Sequence, residues 1–404
     1  MNPLTGKKII LGVTGCIAAY KSCLLVRELV KNGADVRVVL TPSASEFVSP
    51  LTLSTLSRNK VIQGIFPAQK GPVVEADPWH IEYGLWADLM VIAPASINTV
   101  AKMAMGFADN ALTTLVTARR SPLLVCPAAD VDMYEYPLTQ RNLKLLEDQG
   151  AYILEAESGE LASGLTGKGR LPATGKIVEA IKLILYTGST QKDLAGRKVL
   201  VTAGPTYEDI DPVRYLGNRS SGKMGFEIAK AAWLRGADVT LVAGPSSLAL
   251  YPEITRMNVR TADQMKKAVE ENLTEDTILI MAAAVADFTP SAPGEKKIKK
   301  AETAPVIELR FTDDILFSLK ERPKKLAVGF ALETDNEEQK AVDKMHRKNL
   351  DMIILNSLND TGSGFEYDTN LVTMIERSGE KVKTGLLTKT EIAHKILDKI
   401  VTKI

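Results

Sequence analysis

Gly12-Val13-Thr14-Gly15 and Ala203-Gly204-Pro205-Thr206 are two places where this sequence carries a short apolar run straight into a glycine turn. Where such a turn ends a parallel strand and opens a helix, backbone N–H groups and the helix N-terminus favour a phosphate. Both turns are therefore candidate nucleotide sites. Neither reads GxGxxG, and the strands that follow end in Leu40-Thr41-Pro42 and Ala243-Gly244-Pro245, without the acidic residue that grips a dinucleotide ribose. NAD is disfavoured at both. The run from Gly217 to Lys223 has the GxxxxGK spacing, but Met224 stands where a P-loop needs a magnesium-binding hydroxyl, and no strand directly precedes it. What remains in the first half is GVTGCIAAYK, followed later by APASINT. Their small residues and hydroxyls suit close approach to a phosphate or a flat ring, as a flavin mononucleotide site requires. Read alone, each segment also fits an ordinary strand–helix turn with its N-cap.

Strands and helices must hold these turns in place. Lys8 to Gly12 reads as a strand, Ile17 to Lys31 has helical apolar spacing, and Val36 to Leu40 is a second strand introduced by Asn32-Gly33-Ala34-Asp35. The same unit recurs as the strand Lys198 to Ala203, the helix Lys223 to Arg235 and the strand Val239 to Ala243 after Gly236-Ala237-Asp238. GADVRVVLTPSA and GADVTLVAGPSS are close parallels, and a later strand follows an acidic residue in each half, ADLMVIAPAS and EDTILIMAAAVAD. The expectation is an α/β chain of two tandem Rossmann-like domains with mainly parallel, helix-covered sheets. The polar, turn-rich stretch TGSTQKDLAG, after a helix from Lys176 to Tyr186, sets the boundary near residue 190, giving domains 1–190 and 191–404.

Composition narrows the classes of function. A chain of 404 residues suits two cores, and 45% apolar with 25% charged residues is globular composition. No apolar run approaches the roughly 18 residues of a membrane span. Fifty basic residues against 49 acidic ones leave no global field to attract nucleic acid. Cys16, Cys23 and Cys126 have neither disulfide-framework numbers nor CxxC spacing, which fits a reducing cytoplasm and not a zinc site.

Taken in order, further segments extend this pattern over nearly the whole chain. They are GVTGCIAAYK, HIEYGLWADLMVIAPASINTVAK, PAADVDMY and SGELASGLTGKGRL in the first half. In the second they are TAGPTYEDIDPVRYLGNRSSGKMG, AAAVADF, EKKIKK, GFALET and RKNLD. The series resembles the bifunctional phosphopantothenoylcysteine decarboxylase/phosphopantothenate–cysteine ligase family of coenzyme A biosynthesis. The resemblance implies a flavodoxin-like first domain that binds FMN and decarboxylates 4′-phosphopantothenoylcysteine, the flavin oxidising the cysteinyl thiol to a thioaldehyde that serves as the electron sink and then returning the electrons. His80 matches the family's catalytic histidine, and an imidazole suits proton transfer near neutrality. Gly15, Ile17, Thr41, Ser43, Ser96, Asn98 and Thr99 match positions around the flavin or its phosphate. Two positions depart from the family. Its PxMN segment, whose asparagine engages the substrate carboxylate, reads Pro127-Ala128-Ala129-Asp130, so a potential anion replaces a neutral donor. Its late proton-donating cysteine is Ser163 in Ala162-Ser163-Gly164, and an alcohol is a far weaker acid than a thiol.

For the second domain the resemblance implies ligation of 4′-phosphopantothenate to cysteine through an acyl-cytidylate, with CTP as cosubstrate and Mg2+ to neutralise its phosphates. Asn218 matches the residue tied to acyl-cytidylate formation, Arg214 its neighbour in DPVR, and Lys297 the catalytic-loop lysine. Met281, Ala282, Ala283, Asp287, Phe330, Lys344 and Lys348 match nucleotide-contacting positions, the last two lying four apart on one helix face. Read without the resemblance, EKKIKK is a solvated charged loop and the two lysines are ordinary salt-bridging residues. No residue is matched to the metal. The resemblance also implies a cytoplasmic homo-oligomer acting on small molecules. Asp130 and Ser163 keep two alternatives open: an active ligase with an altered flavin-binding first domain, and a flavin-binding regulatory subunit.

Overall fold

The computed structural model describes residues 4–66, 78–299, 306–333, 336–357 and 367–404, so Lys300 of the EKKIKK segment lies outside the described residues. The chain divides into two compact units, Met1–Thr190 and Gln191–Ile404.

In the first unit β1 (Lys8–Val13) leads through a single 3-10 turn, Ile17–Tyr20, into α1 (Lys21–Lys31). The helical pattern expected from Ile17 therefore starts one tight turn late. There follow β2 (Asp35–Leu40), α2 (Pro50–Ser57), β3 (Val61–Ile62), α3 (Trp79–Trp86), β4 (Leu89–Ala95), α4 (Ile97–Ala104), α5 (Ala111–Ala118) and β5 (Leu123–Pro127). The unit closes with α6 (Val131–Glu135), α7 (Pro137–Asp148), β6 (Tyr152–Ile153), a hairpin of β7 (Glu157–Glu160) and β8 (Thr166–Arg170), and α8 (Thr174–Thr187). The sheet runs β3-β2-β1-β4-β5-β6, every pairing parallel. Without the two-residue β3, the order is the 2-1-3-4-5 of flavodoxin-like sheets.

Successive side chains of a strand point to opposite faces, so β1 sends Ile9, Leu11 and Val13 into one core layer and Ile10 into the other. A sheet covered on both faces needs apolar residues on both, which is why β4 is buried throughout. Leu11 is fully buried, and its truncation to alanine would cost roughly 2–5 kcal/mol.

The second unit contains β9 (Lys198–Ala203), a hairpin of β10 (Tyr207–Asp209) and β11 (Tyr215–Gly217), α9 (Lys223–Leu234), β12 (Asp238–Ala243), β13 (Thr255–Asn258), α10 (Ala262–Asn272) and β14 (Thr277–Met281). Then come β15 (Phe288–Pro290), β16 (Leu309–Phe311), α11 (Ile315–Ser318), β17 (Leu326–Glu333), α12 (Glu337–Arg347) and β18 (Met352–Ser357). The last elements are β19 (Thr369–Asn370), β20 (Val372–Glu376), β21 (Lys381–Lys383), β22 (Leu387–Thr388) and α13 (Lys389–Val401). The sheet order is β13-β12-β9-β14-β17-β18-β20-β21, parallel as far as β18 and antiparallel beyond it. α9 and α13 pack into the core layer on one face, and α10, α11 and α12 into the layer on the other. The expected architecture of tandem, mainly parallel, helix-covered sheets is the one the chain adopts.

Candidate active sites

In each unit the strand order reverses beside the first strand, between β1 and β4 and between β9 and β14. The helices on either side of such a point diverge and leave a crevice at the carboxyl ends of the strands. Each unit has a cavity there.

The first cavity, about 770 Å³, is lined by Gly15–Ala18 after β1, Ser43 after β2, Ser96–Asn98 after β4, Ala128–Asp130 after β5, and Glu160–Ala162 with Gly169–Leu171 from the hairpin. The Thr14 hydroxyl joins two of these loops: it donates to the Pro94 carbonyl at 2.8 Å and accepts the Ser96 amide at 2.7 Å. Ser96 then caps α4, its Oγ accepting the Thr99 amide at 3.4 Å. Gly15 is required by close approach, since a Cβ there would lie 2.5 Å from Ser43 Oγ and 2.8 Å from the Ser43 carbonyl carbon.

Of the residues expected around the flavin, Gly15, Ile17, Ser43, Ser96 and Asn98 line this cavity, and so does Asp130. Thr99 and Thr41 are buried outside the lining, Thr99 as the cap partner and Thr41 with an Oγ1 that has no hydrogen-bond partner. His80 lies on α3 with its ring edge-on to Trp79 at 5.9 Å, and it is not part of the lining. Ser163 sits exposed at the hairpin tip next to Ala162, which does line the cavity. Burial pushes the Cys16 pKa up, against two backbone hydrogen bonds that pull it down. Among the described residues no hydrogen bond or ion pair engages the Asp130 carboxylate, although Asp130 begins α6 as its N-cap. The lining fits a flavin mononucleotide: hydroxyls and an amide gather at the strand ends, Gly15 adds no side chain there, and Ala128, Ala129 and Gly169 leave room for a flat ring.

The second cavity, about 650 Å³, brings together Asn218, Met281, Ala282, Ala283, Asp287, Phe330, Lys344 and Lys348. The turn after β9 supports it from behind. Gly204 accepts the Ala284 amide at 2.9 Å, Thr206 Oγ1 accepts the Ala286 amide at 2.9 Å, and Thr202 Oγ1 accepts the Ala283 amide at 3.1 Å. Gly222 starts α9 at φ +79°, and a Cβ there would meet the Gly204 backbone at 2.9 Å, so only glycine suits this contact. Lys344 donates to the Phe330 carbonyl at 2.9 Å. Lys348 pairs with Asp314 at 2.9 Å and holds that carboxyl below its usual range, although burial opposes the shift.

Arg214 and Lys297 are outside the lining. Arg214 ties the turn of the DPVR segment to the loop that carries Lys297, whose own side chain is exposed. Sequence reasoning passed over Lys223, Lys389, Asn356 and Asn370, all of which line the cavity. Only Lys223 had a local signal, in GxxxxGK. Among the described residues no cluster of three or more His, Cys, Asp or Glu could hold a metal ion, and no helix is long and apolar enough to cross a membrane.

Residues 2–185 match the flavoprotein family, and residues 194–404 match the family described as DNA/pantothenate metabolism flavoprotein C-terminal domain. The coenzyme A biosynthesis bifunctional protein CoaBC of Bacillus subtilis (strain 168) is 41% identical over 399 residues, 98% of this chain and 97% of that protein. A protein named cysteine/cysteine sulfinic acid decarboxylase, from an unknown prokaryotic organism, is 49% identical over 361 residues, 88% of this chain and 99% of that protein. The crystal structure of the C-terminal domain of CoaBC superposes with a TM-score of 0.45 at 41% identity, over 52% of this chain and 97% of that one. With both family matches in tandem and such identity along nearly its full length, the chain belongs to the family of coenzyme A biosynthesis bifunctional proteins.

Proposed function

We infer that this protein is a two-site enzyme of coenzyme A biosynthesis, in which the second unit joins 4′-phosphopantothenate to cysteine and the first decarboxylates the product with FMN. The observation that carries the reading is the pair of cavities at corresponding places in two tandem α/β units, the second of which gathers eight of the family's matched positions. In the first cavity Gly15, Ile17, Ser43, Ser96 and Asn98 would hold the flavin, whose oxidation of the substrate thiol would supply the electron sink for the decarboxylation. In the second, activation of the carboxylate by CTP and Mg2+ creates an electrophile for the cysteine amine. Asn218 and Met281–Ala283 line that cavity and would face those groups, and Lys344 and Lys348 would add positive charge for the phosphates.

Supplying 4′-phosphopantothenate, cysteine, Mg2+ and either CTP or ATP, and following pyrophosphate and carbon dioxide separately, tests both halves. Pyrophosphate release is expected to require cysteine and to collapse in Lys297→Gln; full activity in that variant removes the lysine's role. Carbon dioxide release is expected to be lost in His80→Asn.

His80 lies outside the cavity lining within one chain, and a homo-oligomer that brings α3 of a neighbouring copy to the cavity reconciles its role with its position. Ile17, 61% exposed, with Tyr20 and Leu24 beside it, supports such a contact. Mixing Gly15→Ala chains with His80→Asn chains is expected to restore decarboxylation, and no restoration rules out the shared site.

Asp130 favours a second reading for the first unit, in which its substrate is free cysteine. An N-acylated cysteine presents a neutral amide beside its carboxylate, whereas free cysteine presents an ammonium that an anion attracts. The relative at 49% identity bears the name of a cysteine decarboxylase. Comparing kcat/KM for carbon dioxide release from free cysteine and from 4′-phosphopantothenoylcysteine decides it: a preference for the acylated substrate discards this reading.

A further inference from the structure

α3 carries His80, and little within the helix itself fixes its attitude. It has eight residues, and its N-cap, Pro78, makes no side-chain hydrogen bond to the first turn. A helix this short is marginal without tertiary support, so its neighbours decide where its side chains point. At its start the Trp79 indole, 3% exposed, donates to the Ile65 carbonyl at 2.8 Å. Towards its end Gly84 lies against the last turn of α5, where a Cβ would sit 2.5 Å from the Ala118 carbonyl oxygen. Between these two contacts the helix is held by Arg37.

Arg37 is the only residue inside β2 that is not apolar, and the other interior positions, Val36, Val38 and Val39, are buried in the two core layers. Side-chain alternation puts it on the same face as Val39, the face that α3 covers. Its guanidinium lies 4.6 Å from the centre of the Tyr83 ring and 4.1 Å from that of the Trp86 ring, and Nη1 donates to Glu82 at 2.8 Å. One planar cation thus grips three residues of α3 at once. The Arg37 side chain is 21% exposed and that of Glu82 63%, so the rings, more than the solvated ion pair, carry the hold. The grip reaches His80 through packed rings. Tyr83 is edge-on to Trp79 at 5.7 Å, and Trp79 is edge-on to His80 at 5.9 Å. Tyr83 also follows His80 by three residues, which makes them neighbours on the helix surface.

We propose that Arg37 is a positioning residue for decarboxylation, which fixes α3 on the sheet and so sets the direction of the His80 imidazole. The proposal rests on the reading of His80 as the proton-transfer residue of the first unit. Arg37 is not part of the cavity lining, so it acts through the helix and not on the substrate. Proton transfer depends steeply on distance and direction, and a misplacement of about 1 Å costs on the order of a hundred-fold in rate. A lysine in its place would keep the charge and lose the planar surface that covers both rings.

The test measures carbon dioxide release, flavin absorbance and melting temperature of the full-length chain for wild type, Arg37→Met, Arg37→Lys and Glu82→Gln, with whichever of 4′-phosphopantothenoylcysteine and free cysteine the wild type prefers. Arg37→Met is expected to lower kcat by roughly ten- to a hundred-fold, with KM and flavin content within about two-fold of wild type. Arg37→Lys should recover part of the loss, and Glu82→Gln should stay within about three-fold of wild type, because the rings still hold. A change in KM in place of the change in kcat would give Arg37 to substrate binding and overturn the proposal. So would a lower melting temperature with kcat unchanged, which leaves the clamp purely structural. If Arg37→Met does not fold, Arg37→Lys decides, and an unchanged kcat there overturns the proposal. A wild type that releases no carbon dioxide, or a His80→Asn variant that releases it in full, refutes the reading of His80 instead. Reaction of His80 with diethyl pyrocarbonate, located by peptide mapping, then judges the orientation alone. Arg37→Met should change the rate of that reaction about three-fold or more, as a reoriented local segment does, and an equal rate discards the proposal.

Discussion

Asp211 Oδ2 accepts the Nε–H of Arg214 at 3.0 Å and the backbone amide of Ile298 at 3.1 Å. The other carboxylate oxygen accepts the amides of Val213 and Arg214, both at 2.8 Å, and Arg214 in turn donates to the Ile298 carbonyl at 2.8 Å. The Gly294 amide adds a bond to the Ile210 carbonyl at 2.9 Å. The residue before Ile298 is Lys297, so one buried carboxylate anchors the loop that carries it. The Arg214 guanidinium and these amides hold the Asp211 carboxyl well below its usual range, although burial opposes them.

The geometry makes Asp211 the anchor of the loop that carries Lys297, the lysine proposed to act in ligation. Asp211→Asn loses the charge and turns one acceptor into a donor that faces N–H groups. The expected result is a fall in ligase kcat of roughly ten- to a hundred-fold, as misplacement of a catalytic group produces, with KM for CTP little changed. A variant whose melting temperature drops while kcat holds would make the clamp purely structural.

Gly15→Ala is expected to weaken flavin binding. Its Cβ would meet the Ser43 backbone as well as its side chain, so rotamer change alone cannot relieve the clash. Flavin affinity, read from titration of the purified protein in the flavin absorbance bands, should fall by roughly five- to a hundred-fold, the effect of a local strain of ~1–3 kcal/mol on a bound ligand. Pyrophosphate release by the second unit serves as the control for folding.

Asp130→Asn changes charge at nearly constant shape. If the anion recognises a substrate ammonium, kcat/KM for free cysteine falls and that for 4′-phosphopantothenoylcysteine rises, shifting their ratio by roughly ten-fold or more, the scale of one opposite-charge contact. An unchanged ratio means that the carboxylate does not meet the substrate.

His394 predicts acid sensitivity of the second unit. Burial, reinforced by the charge of Arg235 and opposed by Asp193, lowers its pKa to about 3. Arg235 is buried, pairs with Asp193 and Asp398, and donates to the His394 carbonyl at 3.1 Å. The unfolded chain therefore binds a proton near the ordinary value of 6.5 that the folded one refuses until about 3. Stability is expected to fall as pH drops through that window, by up to about 1.4 kcal/mol per pH unit. Denaturant unfolding between about pH 6.5 and 4.5, where most carboxylates remain ionised, measures the slope. His394→Gln should flatten it, and an equal slope in that variant assigns the acid sensitivity to other groups.

Local sequence was sufficient for what local interactions decide. The repeated order of apolar run, glycine turn, helical spacing and GADV segment determined two parallel α/β units and the positions of their turns, because strand and helix periodicity and turn chemistry act over a few residues. Most of the residues that family resemblance picked out line one of the two cavities. Only the tertiary structure decided the rest. The Thr14 hydroxyl reaches Ser96 across 82 positions, and Asp211 reaches Ile298 across 87. Lys389, which looks like an ordinary first residue of an amphipathic helix, lies 166 positions beyond Lys223, and packing of α13 against α9 puts both on one cavity wall. The hairpin of β10 and β11 separates the Gly204 turn from α9, and packing returns Gly222 to the Gly204 backbone. Such contacts depend on which helices cover which face of the sheet and on the burial that follows, and no periodicity in the chain encodes either.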